Sequence, residues 1–181
     1  IPDYLDKLIL EVKDMFATIA RLGLNLKTVY IGGGTPTILT ANQLERLLST
    51  IYDCCDVSSL EEYTLEAGRP DTIDADKLRV AQKYGVERIS VNPQTLNDEL
   101  LSSIGRSHNS EDFFRAYNTA RDVGIKCINT DLIAGLPDET PEDMQDTLSK
   151  IAKLGPDSLT VHSLAIKRAA KMGQEKKNAV I

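Results

Sequence analysis

Short apolar runs alternate along the chain with longer segments that carry helix signals. This alternation predicts strands that alternate with helices. Five short apolar runs are rich in β-branched residues, which is typical of strands buried on both faces of a parallel sheet. These runs span residues 27–32, 61–67, 87–92, 126–133 and 157–162. Four of them follow a helical stretch that ends in glycine, at Gly23, Gly85, Gly124 and Gly155. Glycine adopts positive φ at the C′ position without a Cβ penalty, so each one marks a helix end.

The segments between the runs carry helix start signals. Thr40 with Gln43 fits a capping box, and Ser110 is expected to cap a later helix. Thr140 is expected to cap another, with proline at its first helical position. The opening segment predicts an amphipathic helix that faces a core. Its apolar positions are Tyr4, Leu5, Leu8, Val12, Met15, Phe16 and Ile19.

This order of elements predicts an α/β fold with a parallel sheet and right-handed crossovers. The 181 residues fit one domain. A complete eight-stranded (β/α) barrel needs about 250 residues, so five units indicate either an open sheet or part of a barrel. We place the domain at residues 1–170. The basic tail at 171–181 is interpreted as a frayed end or a cut helix rather than a functional arm.

Charge and cysteine content narrow the function classes. A net charge of -6 argues against nucleic acid or an anionic membrane as the main partner. No apolar run approaches the roughly 20 residues of a membrane span, and no signal peptide is visible. Cys54 and Cys55 are expected to end a helix, and Cys127 to lie in a strand. This odd count is a poor disulfide framework and predicts a reducing, cytoplasmic setting. Zinc-type spacing is absent.

Every predicted strand ends in polar residues or bare backbone. Ligands of parallel α/β proteins bind outside the carboxyl ends of the strands. The residues at those ends are Gly32, Gly33, Gly34 and Thr35; Glu66; Asn92, Pro93 and Gln94; Asn129 and Asp131; and His162 and Ser163. An acid in a strand as apolar as the one around Asp131 needs a partner or a ligand. The sequence therefore predicts a site for a polar small molecule at this rim.

Other interpretations of single rim residues stay open. The glycines fit a tight turn before Pro36, Glu66 fits an exposed loop acid, and His162 fits a packed core residue. Gln94 fits a cap for the helix that follows it. Cations also lie near the rim, which favours an anionic ligand group such as a carboxylate, although solvated surface arginines are the default. These cations are Arg69, Arg106, His108, Lys167 and Arg168.

The rim carries no nucleophile of its own. There is no G-x-S-x-G elbow, no H-E-x-x-H motif and no lysine at a strand end. Chemistry at such a rim is expected to come from a cofactor.

Five motifs, in the same order, resemble the radical S-adenosylmethionine enzymes, and in particular the oxygen-independent coproporphyrinogen III oxidase group. The motifs are "YIGGGTPTIL", "EAGRPDTI", "RISVNPQTLNDELLSSIGRSHN", "INTDLIAGLPDET" and "DSLTVHSLAIKRA". The resemblance runs from about Thr28 to Ala170 and implies a partial (β/α) barrel that holds S-adenosylmethionine across its strand ends. It implies the following cofactor-binding residues: Gly33, Gly34, Thr35, Glu66, Gln94, Arg106, Asp131 and Ala165.

The chain departs from that family in one respect. The family binds a [4Fe-4S] cluster through a C-x-x-x-C-x-x-C loop, and this sequence contains no such loop. The three cysteines do not have its spacing. We expect that the chain starts downstream of the cluster loop and is truncated at both ends, so that the cluster belongs to the parent protein only. A natural cluster-free homologue is the alternative.

The resemblance implies oxidative decarboxylation of coproporphyrinogen III propionates to vinyl groups. S-adenosylmethionine would supply a radical that removes a hydrogen atom from a propionate side chain. The implied partners are the anionic porphyrinogen and an electron donor for the cluster, whereas this chain alone is expected to be inactive. Alternatives are a haem chaperone, another radical enzyme such as a tRNA-modifying one, and a non-radical barrel that binds a phosphorylated ligand. Dimerisation through an exposed sheet edge is a further hypothesis.

Overall fold

The chain forms one five-stranded sheet in which all strands are parallel and follow the order of the sequence. This architecture comes from a computed structural model that describes residues 1–165. The strands are β1 Thr28–Ile31, β2 Glu62–Glu66, β3 Arg88–Ser90, β4 Cys127–Ala134 and β5 Ser158–Ser163. Each strand lies within two residues of its predicted bounds, so the predicted parallel α/β fold is confirmed. The tail at 171–181, together with Lys167 and Arg168, lies outside the described residues.

Helices connect successive strands and begin and end largely where the sequence predicts. They are α1 Pro2–Arg21, α2 Ala41–Cys54, α3 Ala75–Lys83, α4 Asp98–Ser103, α5 Ser110–Val123 and α6 Pro141–Leu154. Thr40 and Thr140 both form capping boxes. The prediction for Ser110 was wrong: Ser110 is the first helical residue, and Asn109 caps α5 in a capping box with Asp112. The four predicted helix-end glycines all have positive φ.

The core lies between the helices and one face of the sheet. Alternate strand residues, such as Leu65, Ile89 and Ile128, point to this face and are fully buried. The α1 prediction holds for Leu5, which is 1% exposed, and for the partly buried residues that follow its stripe. It was wrong for Tyr4 and Met15, which are 69% and 55% exposed, because their side of the helix is not covered within the described part of the chain.

The other face of the sheet, which we call the open face, carries mainly polar side chains. Strand register aligns these residues in rows across neighbouring strands. They are Tyr30 on β1; Thr64 and Glu66 on β2; Arg88, Ser90 and, just beyond it, Asn92 on β3; Asn129 and Asp131 on β4; and Thr160 and His162 on β5. The helices supply core residues such as Leu48 and Phe113, so they pack on the opposite face of the sheet. The open face therefore presents the polar residues of all five strands together.

Candidate functional site

Two different structural constraints explain why glycine occupies the three consecutive positions after β1. At Gly32, an added Cβ would lie 2.3 Å from Tyr30 Cε1 and 2.8 Å from Glu66 Oε2, so these two side chains leave no room for it. Gly33 and Gly34 have φ values of +80° and +60°, and nothing lies within 4 Å of where their Cβ atoms would be. Glycine adopts such positive φ values without a steric penalty. The loop thus exposes bare backbone next to the open face.

Glu66 joins this loop to the end of β2. Its Oε2 accepts a hydrogen bond from the Gly33 backbone N–H at 3.2 Å. The side chain is half-buried on the open face, so the exposed-loop interpretation of Glu66 was wrong. Thr35 follows the loop and begins the single turn Pro36–Ile38. Gly33, Gly34, Thr35 and Glu66 are therefore neighbours, as the predicted rim requires.

Asp131 is held on the open face by two asparagine side chains. Asn92 Nδ2 donates to Asp131 Oδ2 at 2.9 Å, and Asn129 Nδ2 donates to Asp131 Oδ1 at 2.7 Å. The Asp131 backbone N–H in turn donates to Asn92 Oδ1 at 3.2 Å. His162 Nε2 lies 4.0 Å from Asp131 Oδ2, and the His162 side chain is 59% exposed. The carboxylate is thus fixed in place while one side of it still faces solvent, and the interpretation of His162 as a packed core residue was wrong.

Backbone hydrogen bonds place Gln94 beside Asp131. Its N–H donates to the Asp131 carbonyl at 3.1 Å, and its carbonyl accepts from Ile133 N–H at 2.8 Å. Gln94 has a φ of +68°, which is uncommon for a residue other than glycine and marks local strain. Its interpretation as a helix cap was wrong, because Asn97 caps α4. The strained turn instead places the segment that follows β3 beside β4, at the edge of the open face.

Arg106 lines a separate hollow of about 400 Å³ at the far end of the rim, with Ile133, Leu136 and Leu164 among its walls. Burial, and then the positive charge of Arg69, lowers the pKa of the Arg106 guanidinium. No acceptor for this guanidinium is present within residues 1–165. Ala165, the last described residue, is exposed and directly follows Leu164. The hollow can therefore accept an anionic group.

The two other rim cations within residues 1–165 already have partners in the chain. Arg69 pairs with Asp71 at 3.0 Å, and Ser107 donates to the same carboxylate at 3.0 Å. His108 is 3% exposed, and its Nε2 lies 3.2 Å from the Pro93 carbonyl oxygen. It is a packed residue that supports the turn at Gln94 rather than a group that faces a ligand.

Tyr30 was missed by the sequence reasoning. Its side chain lies on the open face above Gly32 and is 60% exposed. It is the one phenol ring among the described strand residues of that face. Burial, followed by the negative charges of Glu66 and Asp131, raises the pKa of the Tyr30 phenol above its ordinary value. The signal was available, because Tyr30 is two positions before Gly32 and therefore shares its face of the strand.

The residues of the open face fit S-adenosylmethionine but hold no iron–sulfur cluster. Carboxylates and amides provide partners for hydroxyl and ammonium groups, and the buried Ser90 Oγ on the same face has no hydrogen-bond partner in the described chain. No group of three or more Cys, His, Asp or Glu able to hold a metal occurs within residues 1–165. Cys54 and Cys55 end α2, as predicted, and Cys127 begins β4. No helix within the described residues is long and apolar enough to span a membrane.

The family model of the radical SAM superfamily matches residues 3–151. The oxygen-independent coproporphyrinogen-III oxidase-like protein HemZ of Bacillus subtilis is 46% identical over 150 residues, which are 82% of this chain and 30% of that protein. The heme chaperone HemW of the same organism is 38% identical, over 85% of this chain and 41% of that protein. The chain thus spans less than half the length of these relatives.

Coproporphyrinogen III oxidase (HemN) from Escherichia coli, described as a radical SAM enzyme, is a structural neighbour with a TM-score of 0.80 and 30% identity. The match covers 96% of this chain and 40% of that chain. The five parallel strands therefore form part of the partial barrel of that fold, and S-adenosylmethionine with a [4Fe-4S] cluster is the cofactor set of the family. The chain belongs to the radical SAM superfamily.

Proposed function

We propose that the open face binds S-adenosylmethionine, and that the protein carrying it converts propionate groups of coproporphyrinogen III to vinyl groups. The observation that carries the proposal is the placement of two carboxylates, Glu66 and Asp131, on one face beside the bare backbone of Gly33 and Gly34. The likeness to coproporphyrinogen oxidases and oxidase-like proteins supports the substrate.

Each predicted residue has a chemical role in this proposal. Glu66 and Asp131 accept hydrogen bonds from hydroxyl or ammonium groups, and the Gly33–Gly34 loop with Thr35 lies against the ligand through its backbone. Gln94 and Ala165 border the same rim. Arg106 is suited to a carboxylate, because a guanidinium donates two parallel hydrogen bonds to it.

The cofactor would supply hydrogen-atom abstraction, and the chain's own residues would position it. In the overall conversion, each propionate that reacts gives a vinyl group, carbon dioxide, a hydrogen atom that the cofactor would take up and one electron that would pass to an electron acceptor of the whole protein. Held carboxylates and amides fix the reacting geometry in advance, which is the main contribution of a protein to such a reaction. The electron donor, the cluster and the rest of the substrate site would belong to the whole protein.

The test uses the full-length protein that contains this segment, under anaerobic conditions. It is mixed with coproporphyrinogen III, S-adenosylmethionine and dithionite, and the vinyl products are quantified by chromatography after oxidation. We expect vinyl products from the wild type and at least about a tenfold lower rate for Asp131→Asn, since hydrogen bonds to charged groups contribute about 1.5–3 kcal/mol. Arg79→Met is the matched control, because Arg79 pairs with Asp76 on an exposed helix surface.

A second candidate, a haem chaperone, is favoured by one observation. The HemW relative is 38% identical, compared with 34% for the oxygen-independent coproporphyrinogen III oxidase of Escherichia coli. Absence of vinyl products, together with saturable haem binding in an absorbance titration, would favour this candidate over the oxidase.

A further inference from the structure

The open face contains one permanent cation among its described strand residues, Arg88 at the start of β3. Its side chain is half-buried, and it makes no ion pair with a carboxylate in the part of the chain that the structure describes. Its donors instead reach neutral groups on β4: Nη2 lies 3.3 Å from Asn129 Oδ1, and Nη1 lies 3.7 Å from Cys127 Sγ. A partly buried arginine that faces an amide beside an acidic site needs an explanation.

The chemistry of Arg88 decides the orientation of the Asn129 amide. A guanidinium can only donate hydrogen bonds, so the Asn129 group that faces it must be the carbonyl Oδ1. The Nδ2 group must then face the other way, toward Asp131 Oδ1 at 2.7 Å. Thr160 Oγ1 lies 3.5 Å from the same Asn129 oxygen, so Arg88 supplies the shorter of its two side-chain contacts and the only charged one. Without Arg88, this amide loses its charged donor and is held less firmly against the carboxylate.

The Asn92 amide is also held in one orientation, by its contacts with Asp131. The Asp131 backbone N–H donates to Asn92 Oδ1 at 3.2 Å, so Asn92 Nδ2 must face Asp131 Oδ2, at 2.9 Å. Both asparagines are more than nine-tenths buried, at 6% and 7% exposure. Each oxygen of the carboxylate thus receives one fixed donor, and the side chain remains 23% exposed on the open face.

We propose that Arg88 is a positioning residue that acts through Asn129, fixing this amide so that the Asp131 carboxylate is held ready to accept hydrogen bonds from S-adenosylmethionine. The proposal rests on the proposed cofactor site and adds a residue that does not itself touch the ligand.

The experiment measures the dissociation constant of S-adenosylmethionine by anaerobic isothermal titration calorimetry with the full-length, cluster-containing protein. Arg88→Met is expected to weaken binding about tenfold, because it removes a charge-assisted hydrogen bond from the network. Arg88→Lys retains a charged donor and is expected to recover most of that loss. Arg79→Met, in an exposed ion pair on α3, is expected to bind like the wild type.

A double-mutant cycle separates positioning from a general structural effect. If Arg88 acts through Asp131, Arg88→Met should have little further effect, within about twofold, in an Asp131→Asn background. If Arg88→Met weakens S-adenosylmethionine binding by the same factor in both backgrounds, the proposal is overturned. Wild-type affinity in Arg88→Met, or no recovery of affinity in Arg88→Lys, would also overturn it. Thermal unfolding of each variant identifies loss of fold.

Failure of the cofactor site itself gives a different result. In that case the wild type does not bind S-adenosylmethionine at all, which contradicts both the proposed function and the role of Arg88. Wild-type binding with an unchanged Arg88→Met variant contradicts the role of Arg88 alone.

Discussion

Replacement of Gly32 by alanine tests whether Tyr30 and Glu66 occupy the space beside the glycine loop. The new Cβ would lie 2.3 Å from Tyr30 Cε1 and 2.8 Å from Glu66 Oε2. Non-bonded carbon atoms prefer about 3.5–4.0 Å, so the tyrosine ring has to move by more than about 1 Å. Overpacking of this kind costs about 1–3 kcal/mol. We expect the lower end, because the ring is 60% exposed and can turn toward solvent.

Alanine also restricts the unfolded chain, which offsets about 0.4–1 kcal/mol of that cost. The double-mutant cycle with Tyr30→Ala removes this term, because it is the same in both backgrounds. We therefore expect Gly32→Ala to destabilise the wild type by at most about 0.6 kcal/mol, or about 1–2 °C in Tm. In the Tyr30→Ala background the same change should stabilise the protein by about 0.4–1 kcal/mol, since the remaining contact is with the end of a flexible side chain, so the two backgrounds differ by about 1 kcal/mol.

Gly33→Ala is the matched control for this cycle, and Tm is measured by thermal unfolding followed by circular dichroism. Nothing lies within 4 Å of the Gly33 Cβ position, but its φ is +80°. Alanine there should cost about 1–2 kcal/mol from backbone conformation alone, equally with and without Tyr30. Equal costs of Gly32→Ala in both backgrounds would refute the steric explanation for Gly32.

Three further predictions concern stability and activity. Tyr63→Phe should raise Tm by a few degrees in thermal unfolding, because the buried Tyr63 hydroxyl has no partner in the described chain and such a group costs about 1–3 kcal/mol; a lower Tm would show that a partner exists. The hydrogen bond from Ile128 N–H, then the pairing with Arg121, lowers the pKa of Asp157 despite some burial. Its stabilisation is therefore present above the unfolded pKa of about 3.9 and is lost as pH falls through the lower folded pKa, so Asp157→Asn should lower Tm at pH 7, and the gap to the wild type should shrink steadily as pH falls below about 3.9. A gap in Tm that does not depend on pH would contradict this sign. The 181-residue chain with dithionite and S-adenosylmethionine should release no 5′-deoxyadenosine by chromatography, because it has no C-x-x-x-C-x-x-C loop; release of that product would refute the expectation.

The strands were predictable because local rules determine them. Glycines such as Gly124 and Gly155, with φ of +92° and +68°, end helices for steric reasons that act within one turn. The apolar runs that follow are buried on one face by helices and bordered by polar residues on the other. The five family motifs, which occur in the same order as in the family, then predicted the partial barrel and the cofactor.

The details of the site were less predictable, because they depend on contacts between distant segments. The pairing of Asn92 with Asp131 joins residues 39 positions apart, and nothing local distinguishes Asn92 from an ordinary turn residue. The sequence placed His108 among the rim cations, but packing leaves it 3% exposed, with its Nε2 3.2 Å from the Pro93 carbonyl oxygen. Neighbouring Ser110 and Asn109 are both good caps, so the sequence alone could not fix the first residue of α5.

The most direct test of the central claim is a crystal structure of the full-length protein with S-adenosylmethionine, grown without oxygen. We expect density for the sulfonium nucleotide on the open face, with polar atoms of the ligand within hydrogen-bond distance of Glu66 or Asp131 and the Gly33–Gly34 backbone against it. Density for the ligand on another surface, with the carboxylates of the open face bound only by water, would contradict the account.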